Sequence, residues 1–189
     1  GRHWVMNSLA VLATVEAVGA DVFAAARAFA QIKPPKGRGE RHSISIGDGS
    51  IELIDDSYNA SPVSIAAALE VLAQAELGPS GRRIAALGDM RELGDKSADL
   101  HQGLATYVAA AGVDLVYAAG PEMKHLCDAL PGTIGVIHTA TSKILIQPLL
   151  DEIQPGDVVL VKGSAGSLMG QVVEALKNLV ESKEILNAV

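Results

Sequence analysis

Val158-Val159-Leu160-Val161-Lys162-Gly163-Ser164-Ala165-Gly166-Ser167 decides the fold. Four consecutive apolar residues, three of them β-branched, run into a polar loop with two glycines. A strand that is apolar at every position, with no alternation, belongs in a parallel sheet covered on both faces. Working outward, Ser142 to Ile153 has helical spacing before it, and Ser167 to Glu181 has helical spacing after it. The same unit recurs upstream. Strands are expected at Arg83 to Leu87, Leu115 to Ala118 and Thr133 to Ile137. Helices are expected at Ser97 to Ala111 and Glu122 to Ala129. Short apolar strands alternating with longer amphipathic helices predict a Rossmann-like α/β fold, its mostly parallel sheet carrying helices on both faces through right-handed crossovers.

Further upstream the period changes to two. Ile44 and Ile46 alternate with serines, Gly47-Asp48-Gly49-Ser50 reads as a hairpin turn, and Ile51 to Ile54 returns. The polar loop Asp55 to Ser61 follows. Pro62 suits the first turn of a helix from Val63 to Ala75, with Ser61 as its cap. Lys33 to Glu40 holds two prolines and two glycines in eight residues, and marks a boundary. Residues 39–189 are read as one α/β domain. Residues 1–38 form a helical piece, Trp4 to Val18 and Val22 to Ala30, with Gly19 as a stop and Asp21 as a cap.

Composition narrows the function. The 189 residues are 49% hydrophobic, carry a formal charge of -7 and contain one cysteine. That excludes a disordered chain and a disulfide scaffold. It also disfavours nucleic acid as a partner, since no basic run with interleaved aromatics occurs. No stretch reaches the roughly 18 to 20 apolar residues of a membrane span; Ala105 to Gly120 is interrupted by Gly112 and Asp114. No leader pattern opens the chain, so the cytoplasm is the expected compartment, and a monomer the expected state.

Ligands of open parallel sheets bind at the carboxyl ends of the strands. Three polar loops follow strands: Asp55 to Ser61, Gly88 to Gly94, and Lys162 to Ser167. All three should open on one edge. Asp55-Asp56 suits a metal, a ribose or an ammonium group, or equally helix capping and a solvated turn. Asp89, Arg91 and Glu92 could meet a zwitterion, or pair with one another on the surface. The amides of Lys162 to Ser167, with the helix start after them, would attract an anion, or form an ordinary glycine turn. Neither a Walker A loop nor a G-x-G-x-x-G is present. His3 and Asn7 are one helical turn apart and could face one ligand. His42, His125 and His138 have no nearby partners in sequence, and no spacing matches a zinc site, so no metal site is expected. Cys127 is expected to pack.

Five ordered motifs carry a resemblance. They are Gly1-x-His3-x-x-x-Asn7-Ser8-Leu9-Ala10, Lys36-Gly37-Arg38-Gly39-Glu40, Asp55-Asp56-Ser57-Tyr58-Asn59-Ala60-Ser61-Pro62, Leu87-Gly88-Asp89-Met90-Arg91-Glu92-Leu93-Gly94 and Val161-Lys162-Gly163-Ser164-x-Gly166-Ser167. Together they resemble the Mur ligases of bacterial peptidoglycan synthesis, in the form that adds D-alanyl-D-alanine to a UDP-N-acetylmuramoyl tripeptide. The resemblance implies that residues 1–38 are the tail of a central ATPase domain and residues 39–189 the C-terminal domain. It implies ATP and Mg2+, with the metal ligands in the central domain. It implies Asn7 near adenine, Arg38 on the phosphates, Asp56 on the ribose, and Tyr58 and Asn59 facing the cleft, with Arg38 and Asp56 serving catalysis. It further implies that Asp89, Arg91, Glu92, Lys162, Ser164 and Ser167 receive the incoming dipeptide. Trp4 departs from the family, where Asn often follows the His. The chain opens without Met, which fits a truncated piece, and by itself it is expected to lack ligase activity. The rival readings are a non-catalytic α/β small-molecule-binding module and a phospho-acceptor receiver domain. The receiver needs an Asp after its middle strand, where Ala118-Ala119-Gly120 stands.

Overall fold

A computed structural model describes residues 2–32 and 34–179. Two helices, α1 (Arg2–Ala17) and α2 (Val22–Ala28), come first. The Asp21 carboxylate caps α2 by accepting from the Ala24 N–H at 2.9 Å. The α/β unit follows in the order β1 (Glu40–Ile46), β2 (Gly49–Asp56), α3 (Pro62–Ala73), β3 (Arg83–Gly88), α4 (Ser97–Ala110), β4 (Leu115–Ala119), α5 (Met123–Ala129), β5 (Gly135–Thr139), α6 (Ser142–Glu152), β6 (Val158–Lys162) and α7 (Gly170–Lys177).

The six strands form one sheet in the order β1-β2-β6-β3-β4-β5. Only β1 runs antiparallel, joined to β2 through the two-residue turn Gly47-Asp48, with Ile46 opposite Gly49. Gly47 has φ +55, the conformation such turns demand of a glycine. The expected mostly parallel sheet with a leading hairpin is therefore the observed one.

Alternation along each strand sorts the core onto two faces. Ile54, Ala85, Leu87, Val116, Ala118 and Leu160 pack with α3, α4 and α5 residues such as Ile65, Leu69, Leu104, Val108 and Leu126. Leu53, Ile84, Ala86, Tyr117, Val159 and Val161 point the other way and pack with Leu145, Leu149, Val172 and Leu176 of α6 and α7. Central strand β6 is buried at all five positions, which explains its lack of alternation. Pro62 sits in the first turn of α3 behind a capping box, in which Ser61 and Ser64 each accept the other's N–H.

Most boundaries shift by one or two residues, and three of the shifts bear on the loops. β5 starts at Gly135 rather than Thr133, because Pro131 to Ile134 closes a turn through the Ile134 N–H on the Pro131 carbonyl. α5 begins at Met123, one residue later than expected, with Glu122 at the cap position. α7 begins at Gly170 rather than Ser167, since a short turn at Ala165–Ser167 ends in Leu168 with φ +56 and interrupts the helical path. The expected helix end at Glu181 lies outside the described residues.

Candidate functional site

Registers bring the three polar loops together. Asp56 lies beside Lys162 across β2 and β6, and Lys162 beside Leu87 across β6 and β3. The chain passes from β2 over β6 to β3, then returns from β5 to β6. The carboxyl ends of these three central strands thus flank the crevice where such sheets bind ligands.

Asp55 and Asp56 do not act as a pair, because successive strand residues point to opposite faces. Asp56 turns into the crevice, where the Lys162 ammonium is 2.6 Å from its Oδ2. Lys162 also donates to the Asn59 carbonyl at 2.9 Å, and is 2% exposed. Asp55 turns the other way, toward Lys177 of α7, and is 1% exposed. Its Oδ1 accepts from the Ser57 hydroxyl at 2.6 Å and the Ser57 N–H at 3.2 Å.

Two adjoining hollows lie between α1 and the Asp55 to Ser61 loop. One, of about 410 Å³, is lined by Trp4, Asn7, Arg38, Asp56, Asn59, Ser61 and Lys162, among others. The second, also of about 410 Å³, is largely apolar, with Val11, Phe29, Ile32, Ile54 and Val71 in its walls. Trp4, Asn7 and Asp56 line both, so the two share a border. The Arg38 guanidinium stands 4.3 Å over the Tyr58 ring, a cation–π contact that holds it at the rim. The segment carrying Arg38 is tied to the acid loop by the Tyr58 N–H on the Gly37 carbonyl at 3.0 Å and the Gly39 N–H on the Asp55 carbonyl at 2.8 Å. Gly37 has φ +72, and a Cβ there would stand 3.1 Å from the Tyr58 nitrogen, so any other residue would be strained at this position. The expected His3–Asn7 pairing falls on a His3 side chain outside those described.

A wider groove of about 950 Å³ runs on from Tyr58 and Asn59 to Arg91, Glu92, Ser164 and Gly166. Ser164 joins the three loops. Its N–H donates to the Asp89 carbonyl at 3.1 Å, its hydroxyl accepts the Arg91 N–H at 2.9 Å, and the same hydroxyl reaches the Ala60 carbonyl at 3.4 Å. Arg91 donates to the Gly166 carbonyl at 3.3 Å. Glu92 is exposed with φ +64, a conformation non-glycine residues rarely hold. The loop is further held by buried His101. Its Nδ1 lies 2.8 Å from the Ser97 carbonyl and its Nε2 accepts the Met90 N–H at 3.0 Å, so the proton sits on Nδ1.

Asp89, for which a ligand contact is expected, is not among the residues lining the groove. Asp89 is turned inward, 5% exposed, with Oδ1 accepting the Met123 N–H at 3.0 Å at the start of α5. A side chain at Gly120 would overlap the Asp89 carboxylate. Burial pushes the Asp89 carboxyl above its ordinary value, opposed by the Met123 hydrogen bond. The expected anion cradle also changes. The Ser164, Ser167 and Leu168 N–H groups already donate to carbonyls within the loops, and α7 starts three residues late. The Ser167 hydroxyl is spent on the Ser164 carbonyl at 2.6 Å.

Two histidines without partners in sequence have neighbours in space. His138 lies with Nε2 2.8 Å from the Gly120 carbonyl. His42 lies with Nε2 3.3 Å from a Glu40 carboxylate oxygen, and Asp55 completes a cluster whose ligand atoms are all within 4.8 Å of one another. The zinc-site spacings sought in the sequence do not mark this cluster. The signal was present: Glu40 and His42 are two apart on one strand, and a two-residue turn at Gly47-Asp48 sets Glu40 opposite Asp55. Cys127 is half-buried against the α3–α5 side, as expected. Among the described residues no helix is long and apolar enough to cross a membrane.

Residues 37–165 match the family described as Mur ligase, glutamate ligase domain. UDP-N-acetylmuramoyl-tripeptide–D-alanyl-D-alanine ligase of Rickettsia prowazekii is 34% identical over 173 residues, 92% of this chain and 37% of that protein. The Escherichia coli ligase of the same name is 35% identical over 177 residues, 94% of this chain and 37% of that protein. Among solved structures, MurF from Acinetobacter baumannii superposes with a TM-score of 0.79 at 28% identity, covering 94% of this chain and 38% of that one. MurF ligase from Thermotoga maritima in complex with ADP has a TM-score of 0.70 at 26% identity, covering 91% of this chain and 37% of that one. The chain thus spans less than two fifths of each of these four proteins.

Proposed function

This chain belongs to the Mur ligase family, and from that premise we propose that it is the C-terminal part of an ATP-dependent ligase joining D-alanyl-D-alanine to a UDP-N-acetylmuramoyl tripeptide. The observation that carries the reading is the pair of adjoining hollows bordered by Asn7, Asp56 and Arg38. An apolar slot suits a purine. A carboxylate at its mouth accepts from ribose hydroxyls. A guanidinium at the rim, always charged and able to donate two parallel hydrogen bonds, suits phosphate oxygens. The Thermotoga maritima relative was crystallised with ADP, in keeping with a nucleotide there.

In this reading Asn7 meets the adenine edge, Asp56 the ribose, and Arg38 the phosphates. Lys162 holds Asp56 at its post through the 2.6 Å pair. Tyr58 supports Arg38 from below, and Asn59 faces the junction of the two ligands. Arg91, Glu92 and Ser164 line the wider groove and receive the zwitterionic dipeptide: Arg91 its carboxylate, Glu92 its ammonium. Asp89 and Ser167 shape the loops rather than touch the substrate. The peptide's terminal carboxylate would take the terminal phosphoryl group of ATP, releasing ADP, and the dipeptide amine would attack the acyl phosphate, losing a proton and expelling inorganic phosphate. The part played here is positioning and charge neutralisation. Mg2+ would offset the phosphate charge. Asp56 is already paired with Lys162 and Asp55 faces away, so these acids are poorly placed for that ion, and its ligands are assigned to a central domain outside this chain.

Residues 1–38 are taken as the tail of that central domain. Val5, Met6, Leu9, Val11 and Phe23 are exposed on α1 and α2, an apolar surface that a further packed layer would cover. We assign the protein to the cytoplasm, as a monomer. The test is phosphate release by the full ligase carrying Arg38→Ala or Asp56→Asn. Losing one charge-assisted contact of about 1.5–3 kcal/mol lowers kcat/KM for ATP about 10- to 100-fold. Unchanged kinetics in both variants would sink the assignment, as would phosphate release by the 189-residue chain alone at the full-length rate.

A further inference from the structure

Beneath α7, on the sheet face opposite the nucleotide hollows, Glu40, His42 and Asp55 converge on one point that the proposed ligase chemistry does not use. Two facts set the cluster apart from an ordinary acidic patch. Asp55 Oδ2 is buried and has no hydrogen-bond partner, and His42 Nε2 is buried and makes no hydrogen bond either. Burying such atoms unsatisfied costs about 1–3 kcal/mol each, so their pairing here calls for a third party. The Lys177 ammonium is 4.0 Å from Asp55 Oδ2, an ion-pair distance but beyond a hydrogen bond. Lys36, a second nearby cation among the described residues, is engaged with Glu174 at 3.1 Å.

We propose that Glu40, His42 and Asp55 bind a divalent transition-metal ion of the zinc class. One imidazole nitrogen and two carboxylates are a set that Zn2+ accepts, with an open position for water. With metal–ligand bonds of about 2.1 Å, tetrahedral ligand atoms are ~3.4 Å apart. The His42–Glu40 separation of 3.3 Å already matches, and the widest separation in the cluster, within 4.8 Å, closes by a side-chain adjustment. Asp55 is already oriented as a ligand, because Ser57 holds Oδ1 through two hydrogen bonds and leaves Oδ2 for the metal. Glu40 and His42 are partly exposed, which provides the entry path. The ion would staple β1 to β2 directly behind Asp56 and beside Gly39, whose N–H is bonded to the Asp55 carbonyl. It would therefore stiffen the segment that carries Arg38. The site stands whether or not the ligase assignment does.

The test uses the 189-residue chain, stripped with chelator and titrated with ZnCl2 by calorimetry, with thermal unfolding read in parallel. The wild type takes up one equivalent and its Tm rises with zinc concentration. His42→Gln, a change at a partly exposed position that leaves the fold intact, weakens zinc binding at least tenfold and abolishes the Tm rise. Lys177→Gln leaves binding unchanged or tighter, because it removes a competing cation. Absence of stoichiometric binding overturns the proposal. So does His42→Gln binding zinc as tightly as wild type, which would place the zinc elsewhere. Loss of binding in Lys177→Gln would also overturn it, by showing that Asp55 is organised as an ion pair.

Discussion

Replacing Lys162 by Met tests the most consequential contact of the crevice. The ammonium is 2.6 Å from Asp56 Oδ2 and 2.9 Å from the Asn59 carbonyl, on a side chain that is 3% exposed. At an effective dielectric constant of about 20 the pair's gross attraction is about 6 kcal/mol. Against it stands the desolvation of a buried ammonium, several kcal/mol, which Met does not incur. The Asp56 side chain keeps 24% of its surface, so water recovers part of what the carboxylate loses. The net destabilisation should be about 2 kcal/mol, below the roughly 3–5 kcal/mol of a wholly enclosed pair. Urea unfolding of wild type, Lys162→Met, Asp56→Asn and the double variant gives the coupling directly. A coupling of about 1.5–2.5 kcal/mol is expected. A value under about 0.5 kcal/mol, the scale of an exposed pair, would refute the claim that Lys162 holds Asp56 in place.

Three further outcomes follow from named contacts. Asp89 has its carboxyl raised by burial, so its contribution is fully present below the ordinary value of about 3.9 and is lost as pH rises through the folded value. Asp89→Asn keeps the acceptor for Met123 without the charge; its stability relative to wild type should therefore climb with pH in unfolding curves taken from acid to neutral, and a flat difference contradicts this. Arg82→Ala removes two hydrogen bonds to Asp157, whose side chain is fully buried, and two to Glu152. Since the Arg82 and Gln154 N–H groups still serve Asp157, a loss of about 3 kcal/mol in denaturant unfolding is expected, and one under about 1 kcal/mol counts against the network. Gly163→Ala would press a methyl group against Ser167, Met169 and the Gly88 Cα, so overpacking should cost about 1–3 kcal/mol and loosen the Ser164 junction, seen as faster amide exchange at Arg91.

Much of the site was legible because strand ends are legible. Asp56, Leu87 and Lys162 terminate apolar runs, and parallel pairing forces such ends onto one edge. Ser164 was visible as a loop residue, but its role as the junction of three loops depends on side-chain directions that spacing does not specify. The surroundings of Asp89 were hidden for the same reason. In the chain it is one more polar residue between glycines, whereas in space the missing side chain of Gly120 leaves a recess that it fills. The late start of α7 was hidden too, since Leu168 is a sound helix former and only the packing of the Ser164 to Ser167 turn drives it to φ +56.

Local patterning by itself determined the periods of two and 3.6, the Gly47-Asp48 turn, the caps at Asp21 and Ser61, and hence a mostly parallel α/β sheet behind a hairpin. These depend on neighbours within a few residues, where steric and hydrogen-bonding preferences act directly. The tertiary structure alone decided which groups Asp55 and Asp56 meet, Glu40 and His42 for the one and Lys162 for the other. Each of those partners is distant in sequence or lies across a strand. Charge chemistry is settled by distance and burial, and only the folded sheet sets those.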